Sequence, residues 1–338
     1  TYPYPSGQVK NIHISAKGNP NSGFPTPTSL HLNGIDICKG QSQVTTDPSP
    51  DLDNKFSPDE IQAQAPTCGK RKIHHQGLVT HGYPTQEGEW PWHAALYLRK
   101  SSDSSRYICG GTLISSELVI TAGHCITEGG HAVTPDRITV RLGLHNRAVA
   151  NSHAQEYPVY DAILHENFDF TSLKNDICIL KLAHRVTFSS YIQPVCLWPS
   201  NSVSLNSVVG HGGTIIGWGL DEVDQLSDIL KQGTMPVVDV TECLQSNPDF
   251  FGGLLTNSNF CAGYRNGTSV CNGDSGGGMF FNLNGSYYIR GIVSLAVAQS
   301  GKAVCNPRHY ALFTDVAKYL NWIEKRLIYP DNSVIKTI

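Results

Sequence analysis

The 338-residue chain lacks several things that would have fixed its class early. No apolar run approaches the ~18–20 residues of a membrane-crossing helix, so no transmembrane helix is expected. Neither charge sign is in marked excess. The formal net charge of -3 gives no reason to expect a nucleic acid or an anionic membrane as partner. No Cys-x-x-Cys spacing is present, which removes the usual zinc-ribbon and dithiol motifs. Fourteen histidines occur without an H-E-x-x-H pair or a paired Cys/His spacing, so no metal site is expected. His74, His75 and His81 read as solvated linker residues. No internal repeat is visible, which argues against a solenoid.

What is present points outside the cell. Ten cysteines without metal-ligand spacing argue for disulfides in an oxidising compartment. Two sequons, Asn266-Gly267-Thr268 and Asn284-Gly285-Ser286, fit a secreted glycoprotein. The chain opens on Thr1 rather than Met, and the expectation is that a signal peptide has been removed. Residues 1–67 read as an irregular leader rich in Pro, Gly, Ser, Asn and Thr, too polar to offset the entropy of ordering. One less polar patch, Leu30 to Cys38, reads as a short strand or as the stump of an upstream module. Residues 68–78 read as a connector. Its cluster Lys70-Arg71-Lys72 fits a processing site and a solvated linker equally well. Residues 329–338 read as a tail.

From residue 79 to residue 328 the chain shows short strands separated by turns. Ile138, Val140 and Leu142 alternate with polar residues; Leu118–Ala122, Thr214–Gly219 and Tyr287–Ser294 are further strands. This rhythm predicts an all-β fold. One helix is expected at the end, where Val316, Tyr319, Leu320, Ile323 and Leu327 recur at three and four spacing.

Three local motifs carry the chemistry. Cys271-Asn272-Gly273-Asp274-Ser275-Gly276-Gly277-Gly278 places a serine among glycines, where the backbone can turn tightly and point consecutive N–H groups into one pocket. A serine is a weak nucleophile without a histidine base held by a carboxylate. Thr121-Ala122-Gly123-His124-Cys125 and Asn175-Asp176-Ile177 offer both. The apolar run after Asp176 carries it toward a buried strand, where its carboxylate needs a donor.

In this order of motifs the chain resembles the chymotrypsin-like (trypsin family) serine proteases, over residues 79–327. The Trp90-Pro91-Trp92-His93 opening and the stretch from Asn306 to Val316 look most like the insect gastrulation-defective group and the horseshoe-crab clotting proteases. The resemblance implies two six-stranded antiparallel β-barrels, about residues 79–195 and 196–315, followed by the C-terminal helix. It implies His124, Asp176 and Ser275 as the catalytic triad, with the N–H groups of Gly273 and Ser275 as the oxyanion hole. Ser294 matches the serine that supports the aspartate. Ser269, six residues before the nucleophile, would be the pocket floor. Val270 would stand beside it, and Leu295, Ala296, Ala311 and Phe313 would form the walls. No aspartate stands at the floor, which predicts apolar rather than basic side chains on the acyl side of the cut.

The same resemblance implies the disulfides Cys109–Cys125, Cys243–Cys261, Cys271–Cys305 and Cys68–Cys196. It leaves Cys178 as a buried free thiol and Cys38 without an assigned partner. It implies a zymogen, cut so that a new amine at Val79 pairs with Asp274. Leu78 stands where a basic residue is usual, so the expectation is either cleavage at Leu78-Val79 by a chymotrypsin-like enzyme or some activity in the single chain. Gly278 replaces a usual proline and Leu295 a common tryptophan. Leu144 stands where a calcium loop would carry glutamate, so neither calcium nor another cofactor is expected. The partners implied are a protein or peptide substrate, an activating protease and an inhibitor. Two functions remain open: a secreted serine endopeptidase of an extracellular cascade, and a weakly active or inactive homologue that serves as a binding or cofactor protein.

Overall fold

The computed structural model describes residues 13–17, 26–32, 35–36, 68–73, 83–101, 104–149, 151–220, 225–266, 269–299 and 305–328. The chain divides into two compact units, residues 1–63 and 64–338. In the first, β1 (His13–Lys17), β2 (Thr26–Leu32) and β3 (Ile35–Asp36) form an antiparallel sheet with β2 in the middle. The patch from Leu30 to Cys38 overlaps the end of β2 and all of β3. The rest of this sheet was not expected, because Pro25-Thr26-Pro27-Thr28 reads as linker. Pro27 is tolerated there for two reasons. The register slips beside it, and β3 reaches only His31 and Leu32, so β2 has a free edge at Pro27. Cys38 lies outside the described residues.

The boundary at residue 63 puts the connector with the second unit. Cys68 is bonded to Cys196, the Gly69 N–H donates to the Pro194 carbonyl (2.8 Å), and the Tyr287 N–H donates to the Gly69 carbonyl (2.8 Å). The Arg71 guanidinium lies 3.8 Å from the Trp90 ring centre and 4.4 Å from that of Tyr287, with Glu89 3.6 Å away. A cation stacked on aromatic faces in this way is not a solvated linker residue. Of the basic cluster, Lys72 is the residue that stays exposed near Arg71 without such a clamp, and Lys70 donates to the Gly285 carbonyl.

After β4 (Tyr83–Pro84) come β5 (His93–Ser101), β6 (Ser104–Leu113) and β7 (Leu118–Thr121). A small hairpin of β8 (Thr127–Glu128) and β9 (His131–Ala132) follows, then β10 (Ile138–Leu142), β11 (Gln155–Leu164) and β12 (Cys178–Leu182). Six of these close a barrel in the order β10-β11-β12-β7-β6-β5, with β5 pairing back onto β10. In β10 the alternation seen in sequence becomes geometry: Ile138, Val140 and Leu142 are buried, while Thr139 and Arg141 are half-buried. Leu96, Val119, Ile120 and Ile179 join them in one core.

The second barrel uses β14 (Gly212–Gly217), β15 (Lys231–Pro236), β16 (Asn259–Ala262), β17 (Gly278–Leu283), β18 (Ser286–Ala296) and β19 (Ala311–Asp315). Their pairing runs β16-β19-β18-β17-β14-β15. β4 adds to the β15 edge, and β13 (Cys196–Leu197) adds to β18. The two ends meet only at the bridge between Val237 and Ala262, where the Val238 N–H donates to the Cys261 carbonyl and the Gly263 N–H to the Pro236 carbonyl (both 3.0 Å). The expected second barrel is therefore an open sheet curled until one bridge seals it. Short helices α1 (Val240–Ser246) and α2 (Pro248–Phe251) follow the seam. The C-terminal α3 (Leu320–Ile328) buries Leu320 and Ile323, after a turn that the Asp315 carboxylate caps at the Ala317 N–H.

Three single-residue bulges interrupt the ladders. Ile108 is the extra residue of β6 against β5, because Cys109 pairs with Leu96 and Tyr107 with Tyr97. Arg290 is the extra residue of β18 against β17, and Ser294 the extra residue of β18 against β19. A bulge re-aims a side chain that strict alternation would send elsewhere.

Candidate active site

Asp176 precedes β12 and is 1% exposed. Its carboxylate accepts three hydrogen bonds from two residues. The His124 backbone N–H reaches Oδ1 (2.8 Å), while His124 Nδ1 (2.8 Å) and the Ser294 hydroxyl (2.6 Å) reach Oδ2. The bulge at Ser294 is what turns its hydroxyl this way. The Thr314 hydroxyl donates to the Asp176 carbonyl (2.8 Å), and the Tyr319 hydroxyl donates to Asn175 (3.0 Å). A buried carboxylate surrounded by donors fixes the histidine's tautomer, leaving Nε2 to face outward as a base. His124 sits in a short 3-10 turn after β7, and the disulfide from Cys125 to Cys109 ties that turn to β6. His124, Cys109 and Cys125 cluster closely enough to suggest a metal, but both sulfurs are spent in the disulfide.

Ser275 and His124 line one cavity of about 380 Å³. No hydrogen bond joins them in this structure; His124 Nε2 lies 3.9 Å from Cys125 Sγ. Such bonds commonly tighten only when substrate is bound. The loop before Ser275 is held peptide by peptide. The Asn272 carbonyl accepts from the Leu220 N–H (2.9 Å), the Gly273 carbonyl from the Tyr107 hydroxyl (2.6 Å), and the Asp274 carbonyl from the Gly277 N–H (3.0 Å). In a planar trans peptide the N–H points opposite its carbonyl. Holding the carbonyls of Asn272 and Asp274 therefore orients the N–H groups of Gly273 and Ser275, neither of which has a partner among the described residues. Gly273 adopts φ +98°, and a side chain there would collide with Leu226.

The Asp274 carboxylate accepts from the Gly219 N–H (2.8 Å) and the Cys271 N–H (2.9 Å). Burial pushes its pKa up to about 6, against those two donors and Lys231. Leu78 and Val79 lie outside the described residues. Behind the loop, His93 is buried against Trp218 (4.9 Å between ring centres) with neither ring nitrogen hydrogen-bonded, and burial lowers its pKa to about 3.

Of the residues expected around the substrate, Val270, Ser294, Leu295 and Ala296 line the cavity. Ser269, Ala311 and Phe313 do not. The Ser269 hydroxyl donates to the Val270 carbonyl, and Phe313 stacks on Phe260 inside the second core. Ala311 faces Ala296 across the ladder but is wholly buried. Phe170, Thr171 and Leu173, from the loop before Asp176, were missed and complete the lining. Leu173 holds φ +52°, a conformation that no sequence pattern announces. The four implied cysteine pairs are the four disulfides formed, and Cys178 is free and buried. Asn284 is exposed at a two-residue hairpin turn with Gly285; Asn266 is exposed, while Gly267 and Thr268 lie outside the described residues.

The trypsin family profile matches residues 79–323, most of the chain. The chain belongs to the trypsin family of serine proteases. Among curated relatives it is similar to serine protease gd of Drosophila melanogaster, 32% identical over 70% of this chain and 50% of that protein. It is similar to CLIP domain-containing serine protease B15 of Anopheles gambiae, 31% identical over 78% of this chain and 72% of that one. The proclotting enzyme of Tachypleus tridentatus is 30% identical over 89% of this chain and 78% of its own length. The chain thus spans half the length of the gd protease. Among the described residues no helix is long and apolar enough to cross a membrane.

Proposed function

We propose that the chain is a secreted serine endopeptidase, made as a zymogen, that acts in an extracellular proteolytic cascade. The observation that carries this reading is the buried His124–Asp176 pair, braced by Ser294, beside a serine that follows two oriented N–H groups. In this reading Ser275 attacks the peptide carbonyl, His124 takes its proton and passes it to the leaving amine, and Asp176 stabilises the imidazolium. The N–H groups of Gly273 and Ser275 hold the developing oxyanion. The substrate is a protein, and the partners are an activating protease and an inhibitor, by analogy with the cascade enzymes the chain resembles. A new amine at Val79 would give the buried Asp274 carboxylate a cation.

No carboxylate lines the cavity, while Phe170, Leu173, Val270 and Leu295 do. A lysine or arginine entering it would lose water without gaining an ion pair, so apolar side chains of leucine, valine or alanine size are the preferred acyl-side residues. Labelling with a fluorophosphonate probe, before and after processing, tests the function. Labelling of the wild type and none of Ser275→Ala supports the endopeptidase. No labelling in any processed form favours the binding homologue. A peptide series varied only at the acyl-side residue tests the preference, which faster cleavage after arginine than after leucine would refute.

A further inference from the structure

We propose that Tyr107 is a positioning residue for the oxyanion-binding loop, its hydroxyl locking the peptide between Gly273 and Asp274 so that the N–H groups of Gly273 and Ser275 stay convergent. The inference rests on the endopeptidase reading and adds a part to its machinery.

Three consecutive peptide planes lie between the Asn272 and Ser275 α-carbons. The outer two are held by the N–H groups of Leu220 and Gly277, both from the second barrel. The middle plane decides how the outer two face one another, because its flanking torsions are ψ of Gly273 and φ of Asp274. Gly273, having no side chain, resists rotation there less than any other residue. Two bonds hold the plane. Its N–H donates to the Cys271 carbonyl (2.9 Å), a bond within the same loop, and its carbonyl accepts from Tyr107 (2.6 Å). The tyrosine is the anchor that comes from the other barrel.

Its own position is well determined. The bulge at Ile108 sits between Tyr107 and Cys109 and re-aims the tyrosine out of the β5–β6 ladder. The ring meets Trp218 edge-on at 5.7 Å and Tyr97 at 5.8 Å, and the Arg147 guanidinium covers it at 5.1 Å. Burial holds the phenol well above its ordinary range, so the hydroxyl remains a donor across working pH. The same strand also sends the Gly110 N–H to the Ser275 carbonyl (2.8 Å) and, through Cys109, the disulfide that fixes the turn of His124. β6 is thus a common backing for base, nucleophile and oxyanion loop. None of these contacts involves a new N-terminus, so the lock is in place in the uncut chain.

The test compares Tyr107→Phe, which keeps the ring stacking, with Tyr97→Phe, which takes a hydroxyl from the neighbouring ring. In the full chain, activated as the wild type is, Tyr107→Phe should lower kcat about 10- to 100-fold, less than the loss of a direct oxyanion donor. KM should stay within about threefold. Affinity for a peptide boronate, whose tetrahedral adduct puts an oxygen between the two N–H groups, should fall in parallel with kcat. Affinity for the cleaved peptide product should not change, and Tyr97→Phe should match the wild type. Tyr107→Phe with wild-type kcat overturns the inference. So does a loss of product affinity equal to the loss of kcat, or an equal defect in Tyr97→Phe. If the wild type hydrolyses peptide and labels with phosphonate but Tyr107→Phe is unaffected, this inference alone fails. If the wild type does neither, the endopeptidase reading fails and takes this inference with it.

Discussion

The two barrels solve one problem by different means. The first closes by hydrogen bonds alone: each of its six strands has two ladder neighbours, and its one disulfide, Cys109–Cys125, serves the histidine turn rather than the closure. The second is sealed by one bridge, and its reinforcement is of other kinds. Cys261, in the bridging strand β16, is bonded to Cys243 of α1. Arg290, a bulge residue with no exposure, forms two hydrogen bonds to Asp315 (2.8 and 3.1 Å), reaches the Ser202 and Val203 carbonyls, and lies 4.8 Å from the Trp198 ring centre. The difference teaches where tolerance lies. The barrel that supplies His124 and Asp176 is rigid by topology. The barrel that supplies Ser275 and most of the substrate lining is held by discrete fastenings, between which loops can vary.

The largest expected effect erases the contrast. If base and nucleophile act as one unit, Ser275→Ala and His124→Ala should each reduce kcat by about 10⁶-fold, and the double variant by no more. Steady-state hydrolysis of an apolar peptide substrate reads this; additive losses would show that the barrels contribute separately. Next, removing one fastening should damage the second barrel alone. Asp315→Ala leaves Arg290 buried and unpaired, and a loss of about 3–5 kcal/mol is expected in denaturant unfolding. Replacing both partners with apolar residues of similar volume should recover most of it. A smaller loss, about 2–4 kcal/mol, is expected for the double Cys243→Ser, Cys261→Ser variant. The first barrel should stay folded in it, as hydrogen exchange on β5, β10 and β12 would show.

The smallest effects are those of pH, and the barrels answer in opposite senses. His93, in the first, has a folded pKa of about 3 against an ordinary 6.5. The unfolded chain binds its proton first, so its contribution is complete above about 6.5 and is lost as pH falls toward 3. Asp274, in the second, is raised to about 6 from 3.8. The folded chain keeps its proton longer, so its contribution is complete below 3.8 and is lost as pH rises through 6. Urea midpoints across pH 3–7 should flatten at the acid end in His93→Leu. In Asp274→Asn they should flatten toward pH 6. No change in either variant would show that these groups do not titrate with folding.

What could be read from sequence divides along the same line. The residues of the first barrel's contribution announced themselves, because His124 and Asp176 sit in contiguous motifs that include their own neighbours. Ser275 was legible for the same reason. The substrate lining was not. Phe170 and Leu173 reach the cavity from a loop whose turn depends on a left-handed Leu173, and Phe313 turns into the core although its strand neighbours suggested a wall. Bulges are the general obstacle. Ser294 was found through resemblance, but Arg290 and Tyr107 owe their roles to ladder slips that alternation cannot show. The stacking of Arg71 on Trp90 and Tyr287 likewise joins residues far apart in the chain.

The bond between Cys68 and Cys196 changes what cutting the chain can accomplish. A break anywhere between residues 74 and 79 would create two polypeptides without creating two molecules. The leader's sheet-forming segment would remain at an effective concentration on the order of millimolar beside the catalytic unit, set by a short leash instead of by diffusion. Whatever the leader recognises, the cut enzyme would still be delivered to it. Release would demand a reductant, and the compartment that formed the bond is the one least able to supply it.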